Sequence, residues 1–332
     1  MARTKKLNLL RKKILIAGSS GLVGFNALDQ FSNYKHYKIL AVYHKKKPLI
    51  KHKNIKYIKT DLSKFQNCIK VLKNIDDVYM FAGKVFNKTD KINSQNEHDL
   101  DNFISLNLNM MKAACLLNVK NYCWLSSFVG YPNINNFHEK YYFDNDPIEK
   151  YHLIGTVYRF LEKCAEYYAL NSKMTRILTL RPSEIFGPQD DFNIKTCHSF
   201  PKYINKIVNS KRKNYFKLFV SENYLNEKNY IFAKDLVDIS TKLVKKNKKK
   251  YDDFNIAMNK NYSLKEMIEK ILKFEDYDKK LRIKWSRKKF NNFKNNFNTS
   301  KLNSYNLFIT SKNIDLHIKE TINYFKSLKN EK

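Results

Sequence analysis

Glycine is scarce in this chain, at 7 of 332 residues. The scarcity accompanies an abundance of Lys, Asn, Ile, Tyr and Phe, which is the composition of an AT-rich genome. Cysteine is also sparse. Cys68, Cys115, Cys123, Cys164 and Cys197 lie far apart and form no CxxC pair. That spacing excludes a disulfide framework and a zinc site and points to a reducing compartment. The histidines form no HExxH pattern, so no metal site is expected. No run of about 18 apolar residues occurs, which excludes a membrane-spanning helix. Met1 to Lys13 is basic but has no apolar core, so it does not read as a secretory signal. The expected location is cytoplasmic. Acidic residues are few, 31 against 63 Lys+Arg, for a formal net charge of +32. Such a charge raises nucleic acid or an anionic membrane as partners. The lysines are spread along the whole chain, however, and neither partner is required. A phosphate-bearing small ligand is equally compatible with the charge.

What is present begins with hydrophobic content of 43%, enough for a substantial core. The length suits one large α/β domain with a smaller lobe. Its centre is Gly18-Ser19-Ser20-Gly21-Leu22-Val23-Gly24. This stretch follows the apolar run Ile14-Leu15-Ile16-Ala17 and opens a helical pattern, Leu22 to Phe31. Strand, glycine turn and helix is the order a dinucleotide diphosphate needs. The first glycine makes the turn, the second admits the phosphates to the helix N-terminus, and the third lets helix and strand pack closely.

Further strands are expected at 38–43, 55–58, 77–82, 122–125 and 176–180. Helices are expected at 100–117 and 150–170. The alternation predicts a doubly wound parallel sheet of Rossmann type. The second strand ends in Tyr43-His44-Lys45-Lys46-Lys47, with no carboxylate. An acidic residue there would favour NAD; cations suit the 2′-phosphate of NADP(H), leaving NAD(H) as the alternative. Asp61 either reaches the adenine or caps the helix after it. The organisation read from these patterns is a basic tail at 1–11 and a dinucleotide-binding domain at 12–188. Residues 228–258 return to that domain, and 189–227 and 259–330 form a substrate lobe. Within that lobe, Ser263-Leu264-Lys265-Glu266 reads as a capping box.

After the fifth strand comes Leu125-Ser126-Ser127-Phe128-Val129-Gly130-Tyr131-Pro132, and later Tyr151. With the glycine loop, Asn107, Arg181-Pro182-Ser183-Glu184-Ile185-Phe186-Gly187-Pro188 and Phe254-Asn255-Ile256, these resemble the extended short-chain dehydrogenases/reductases. That group is the NAD-dependent epimerase/dehydratase family, and the resemblance runs over about residues 12–328. Tyr131-Pro132, Gly187 to Asn193, His198-Ser199-Phe200-Pro201 and Asn298 to Leu302 are most similar to the GDP-L-fucose synthase branch. The resemblance implies a nucleotide-sugar substrate, a nicotinamide cofactor and a homodimer built on the helices at 100–117 and 150–170. It implies that Tyr151 exchanges a proton with a sugar oxygen that Ser127 holds. It puts His198 beside the reacting carbon, and Glu184, Lys206 and Asn229 around the substrate. Ser20, Leu22, Val23, Leu62, Ala82 and Gly83 would line the cofactor with the three glycines, His44, Lys45 and Asp61.

The chain departs from that pattern at two positions. Gly155 stands where the family has a lysine four residues after the tyrosine, and Val129 stands where the fucose synthases have a cysteine. The first departure leaves two readings open. The chain is either a nucleotide-sugar epimerase/reductase or a degenerate Rossmann protein without turnover. Gly155 is tolerated either through relaxed selection or because a ligand or backbone approaches closely.

Overall fold

The computed structural model describes residues 11–83, 99–210, 216–220, 223–275, 281–286 and 296–330. Most of the basic tail therefore lies outside the described residues. The chain runs β1 (Lys12–Ala17), α1 (Leu22–Ser32), β2 (Tyr37–Tyr43), β3 (Ile55–Lys59), α2 (Phe65–Leu72), β4 (Asp77–Met80), α3 (Asp99–Leu116) and β5 (Asn121–Leu125). It continues with β6 (Asn136–Phe137), α4 (His152–Asn171), β7 (Arg176–Pro182), β8 (Glu184–Phe186), α5 (Ser199–Ser210), β9 (Phe216–Val220), β10 (Glu227–Lys228), β11 (Tyr230–Phe232), α6 (Ala233–Lys246) and β12 (Tyr251–Ile256). The last part holds β13 (Tyr262–Ser263), α7 (Leu264–Phe274), β14 (Leu281–Trp285), β15 (Asn296–Phe297), α8 (Ser300–Asn303) and α9 (Ile314–Asn330).

Seven strands form one sheet in the order β3-β2-β1-β4-β5-β7-β12, and every neighbouring pair is parallel. The order reverses between β1 and β4. In a sheet of this kind the crevice for a ligand opens beyond the strand ends at that point. The central strands carry buried apolar runs, Ile14–Ala17 in β1 and Val78–Met80 in β4, because helices cover both faces. Residues alternate across the sheet with period two. Ile14 and Ile16 of β1 join a core that includes α1 and α6; Leu15 and Ala17 join one that includes α2, α3 and α4. The first of these cores runs without a break into the C-terminal lobe, taking in Phe200, Tyr203, Met267 and Ile318.

β12 completes the sheet beside β7, and β11 pairs with β8 in a separate parallel ribbon. The capping box is present. Ser263 Oγ accepts from the Glu266 N–H, and the Glu266 carboxylate accepts from the Ser263 N–H. Such a cap contributes about 1 kcal/mol to the start of α7.

Two expected elements differ at their ends. The strand expected over 77–82 stops at Met80. Just beyond that end, a Cβ on Gly18 would lie 2.5 Å from the Ala82 backbone. The helix expected from Lys150 begins at His152. Glu149–Tyr151 is a single 3-10 turn instead, and Tyr151 is the N-cap residue of α4, with φ −117° and ψ 11°.

Candidate active site and cofactor loop

The glycine loop has the geometry a diphosphate requires. Gly18 has φ +73°, a region that favours glycine, and a Cβ there would strike Ala82 and Phe81. A Cβ on Gly24 would lie 2.1 Å from the Gly18 carbonyl oxygen, so helix and loop touch backbone to backbone. Gly21 differs: its Cβ position meets nothing nearer than that same oxygen at 3.5 Å. It caps α1 without a side-chain hydrogen bond, and the first turn of α1 carries no acidic residue. The first amides of a helix have no partner within the helix and attract an anion. The loop is held from β2 by Ser19, whose N–H and Oγ both donate to the Val42 carbonyl, at 3.0 and 2.9 Å. Val23 is buried in the core, so only its backbone is available to a cofactor, while Ser20 and Leu22 are half-buried.

Along the adenosine side, His44 and Lys45 are exposed just beyond β2. Asp61 serves its own turn: Oδ1 accepts from the Ser63 N–H at 2.9 Å and from Ser63 Oγ at 2.7 Å. Burial pushes its carboxyl up, but these two bonds, with His44 and Lys64 nearby, hold it below the usual value. Leu62 is buried and anchors Cys68 through its carbonyl. Ala82 and Gly83 follow β4, with Gly83 beside Phe103. Asp61 and Leu62 thus hold the entry to α2.

Ser127 and Tyr151 come from different elements. Ser127 caps the 3-10 turn Phe128–Gly130, its Oγ accepting from the Val129 N–H at 3.3 Å. Tyr151 lies edge-on to Phe128, the residue after Ser127, with ring centroids 6.4 Å apart. Lys150 Nζ stands 5.0 Å from the Tyr151 ring centroid. Where a lysine side chain would leave α4, at Gly155, the backbone of the serine turn intervenes. A Cβ there would lie 2.5 Å from the Val129 carbonyl oxygen and 2.7 Å from Pro147 Cβ. Of the two explanations for this glycine, close backbone approach is the one observed.

The serine turn is held from beneath by buried charge. Ser126 Oγ donates to Glu162, which forms a fork with Arg181 through Nε at 3.0 Å and Nη2 at 2.5 Å. Arg181 Nη1 reaches Asp253 at 2.7 Å, and Lys301 bridges Asp253 and Asp252. Burial alone would favour a neutral Arg181, yet Glu162 and Asp253 hold it firmly charged. The face of Tyr142 covers this guanidinium at 3.6 Å, and the Tyr142 hydroxyl donates to the Ser127 carbonyl at 2.9 Å. Gly130 is the glycine that lets Tyr142 through: a Cβ there would lie 2.1 Å from its hydroxyl oxygen.

Among the expected substrate residues, Glu184 is engaged by Lys228, Nζ to Oε1 at 2.5 Å. Asn229 is buried, and its amide is occupied by the Met258, Lys260 and Asn261 oxygens and the Met258 N–H. It therefore joins β11 to the segment after β12. Lys228, its neighbour, carries the accessible charge, and a Glu184 carboxylate already neutralises it. Lys206 lies over the Tyr203 ring at 5.3 Å, and His198 is exposed at the start of α5. Asn107 donates to the Phe103 carbonyl of its own helix. Tyr142 carries no sequence signal for its place beneath the serine turn, and Lys228 rather than its neighbour Asn229 faces Glu184. Period two separates Lys228 from Asn229, since 228 and 229 in an extended chain cannot both face one cleft.

The sequence model of the NAD dependent epimerase/dehydratase family matches residues 14–257. No curated protein matches the chain by sequence. Solved structures match closely in shape. The GDP-L-fucose synthetase from Naegleria fowleri bound to NADP has a TM-score of 0.80 at 15% identity, covering 97% of this chain and 94% of that one. The UDP-N-acetylglucosamine 4-epimerase from Methanobrevibacter ruminantium M1, in complex with UDP-N-acetylmuramic acid, has 0.78 at 17%, covering 96% and 99%. The UDP-glucose 4-epimerase from Thermotoga maritima, with UDP-glucose, has 0.74 at 15%, covering 95% and 99%.

Proposed function

The chain belongs to the NAD-dependent epimerase/dehydratase family, and from that premise we propose that it modifies a nucleotide-linked sugar at the 4-keto or 4-hydroxyl level. The observation that carries this reading is the glycine loop: two glycines packed against backbone and a third left open at an uncapped, acid-free helix start. Gly18, Gly21 and Gly24 would hold the diphosphate, and His44 and Lys45 a ribose 2′-phosphate, which favours NADP(H) over NAD(H). The nicotinamide ring, when bound, supplies or accepts hydride. Tyr151 would move the proton at the sugar oxygen that Ser127 orients, a step typically worth 10²–10⁴-fold in rate.

Double epimerisation of the fucose-synthase kind has weaker support than simple keto-reduction, because Val129 replaces the cysteine and leaves His198 alone. Binding of a nucleotide diphosphate in the lobe would rely on Lys206 and on a Lys228 already paired with Glu184. A homodimer is supported by α4. Leu153, Phe160 and Tyr167 recur every seven residues and are each more than half exposed, which makes one apolar stripe.

One observation favours the second reading, a Rossmann protein that binds without turnover. The helix position that should carry a lysine is closed to any side chain. The deciding experiment is a titration of the purified protein with NADPH and NADH, read by nicotinamide fluorescence. It is followed by a screen of GDP- and UDP-linked keto-sugars for oxidation of the bound nucleotide. Saturable binding with turnover supports the enzyme. Binding without turnover on any keto-sugar supports the second reading, and no binding at millimolar concentration refutes the enzyme and leaves a Rossmann-shaped protein without turnover.

A further inference from the structure

The link between the phosphate loop and the C-terminal helix is absent from both readings above. Beyond β8 the chain turns at Gly187-Pro188, and Gln189 takes a left-handed backbone with φ +68°. Few residues other than glycine and asparagine adopt it readily. From there the Gln189 side chain spans two elements. Its Nε2 donates to the Ser20 carbonyl at 3.4 Å, and its Oε1 accepts from the Tyr324 hydroxyl of α9. Tyr324 also packs edge-on against Phe25 in α1, with ring centroids 5.6 Å apart. Beside this contact the fully buried Asn26 donates to the Leu22 and Pro188 carbonyls, both at 2.8 Å. Lys234 of α6 bridges Asp29 of α1 and Glu320 of α9 at 2.7 Å each.

We propose that Gln189 and Tyr324 form a strut that positions the phosphate loop from the C-terminal helix, so that cofactor affinity and the docking of α9 are coupled. The inference rests on reading the glycine loop as the diphosphate site. The physical reason lies in one peptide plane. The Ser20 carbonyl and the Gly21 N–H belong to the same planar unit. Gly21 N–H is held by the Gly18 carbonyl at 3.0 Å, and Ser20 carbonyl is held by Gln189. A peptide fixed at both ends leaves the loop ordered before a ligand arrives, which removes an ordering penalty from binding. Coupling is reciprocal, so a ligand on the loop must in turn favour the docked α9. Gln189 and Tyr324 act on the loop through the Ser20 carbonyl. They are positioning residues.

The test uses the full chain, NADPH as the probe, and the variants Gln189→Asn and Tyr324→Phe. Asparagine accepts the left-handed backbone but is one methylene too short to span the gap, so the strut is cut without straining the turn. The Kd for NADPH should rise about five- to tenfold in each variant, as expected for one hydrogen-bonded link. The double variant should be no weaker than the worse single one, because both substitutions break the same strut. Saturating NADPH should slow amide hydrogen exchange along α9 in the unsubstituted protein and leave it unchanged in Gln189→Asn. Variant Kd values within about twofold of the parent, with α9 exchange indifferent to NADPH, overturn the inference while the cofactor reading stands. A parent protein that binds neither NADPH nor NADH overturns both together.

Discussion

The Cβ position of Gly155 lies 2.5 Å from the carbonyl oxygen of Val129. No real side chain tolerates that approach, so α4 and the serine turn could not pack as they do if residue 155 were larger. Gly155→Ala gains about 1 kcal/mol of helix propensity and loses more to overpacking. A net loss of about 1–2 kcal/mol is expected from urea denaturation, and Gly155→Lys should lose more. Neither should raise turnover. A Gly155→Lys protein that is as stable as the parent and more active would show that the turn yields easily and that the site is a damaged family site.

Lys45 sits exposed beyond β2 with no carboxylate next to it in the chain. Lys45→Glu should weaken NADPH about tenfold, the size of one charge-assisted hydrogen bond, and change NADH little. Parallel fluorescence titrations read the ratio. Equal effects on the two nucleotides would remove Lys45 from the 2′-phosphate.

Glu162 and Arg181 are essentially inaccessible, and their fork supports Ser126. Glu162→Gln leaves a buried guanidinium short of a counter-charge, and a loss of about 3–5 kcal/mol is expected in chemical denaturation. Replacing both partners by Leu and Met should recover part of that loss, since it removes the buried guanidinium as well and leaves Asp253 with Lys301 as its partner. A single variant as stable as the parent would contradict the burial of this pair.

Burial pushes the Asp190 carboxyl from 3.8 up to about 7, with Asp191 adding to it. The folded protein therefore binds this proton more tightly than the unfolded chain. The stability it contributes is fully present below about pH 4 and is lost as the pH rises to about 7. Asp235, raised to about 6 by burial and by Asp238, acts in the same direction. Asp190→Asn should flatten the decline in stability between pH 4 and 7, measured as denaturation midpoints across that range. An unchanged slope would show that Asp190 titrates normally.

The stripe of Leu153, Phe160 and Tyr167 faces outward from α4. Leu153→Arg together with Phe160→Glu should convert a dimer into a monomer in analytical ultracentrifugation. Both positions are exposed, so monomer stability should change by no more than about 0.5 kcal/mol. A parent protein that sediments as a monomer at micromolar concentration would reject the dimer.

Much of the fold was legible in local sequence. The apolar runs, the glycine spacing and the Ser263–Glu266 box are short-range patterns, and each specifies an element within a few residues of itself. The strand and helix ends were less legible, because they depend on neighbours. β4 stops at Met80, where the chain runs close against Gly18, and Tyr151 falls in a 3-10 turn ahead of α4.

The chain by itself determined that a glycine-turned βα unit opens an alternating α/β fold and that a serine and a tyrosine stand in the family's order. It also showed that Gly155 breaks the expected pattern. It could not say why. The answer lies in Val129 and Pro147, which reach α4 only after the serine turn folds over it. The same holds for Asn229, whose amide finds partners about thirty residues away, and for Arg181, paired with Glu162 on α4 and Asp253 on β12. Periodicity and propensity act between near neighbours. Whether a polar side chain meets solvent, a ligand or a buried partner is set by contacts between distant segments, and those existed only once the chain had packed.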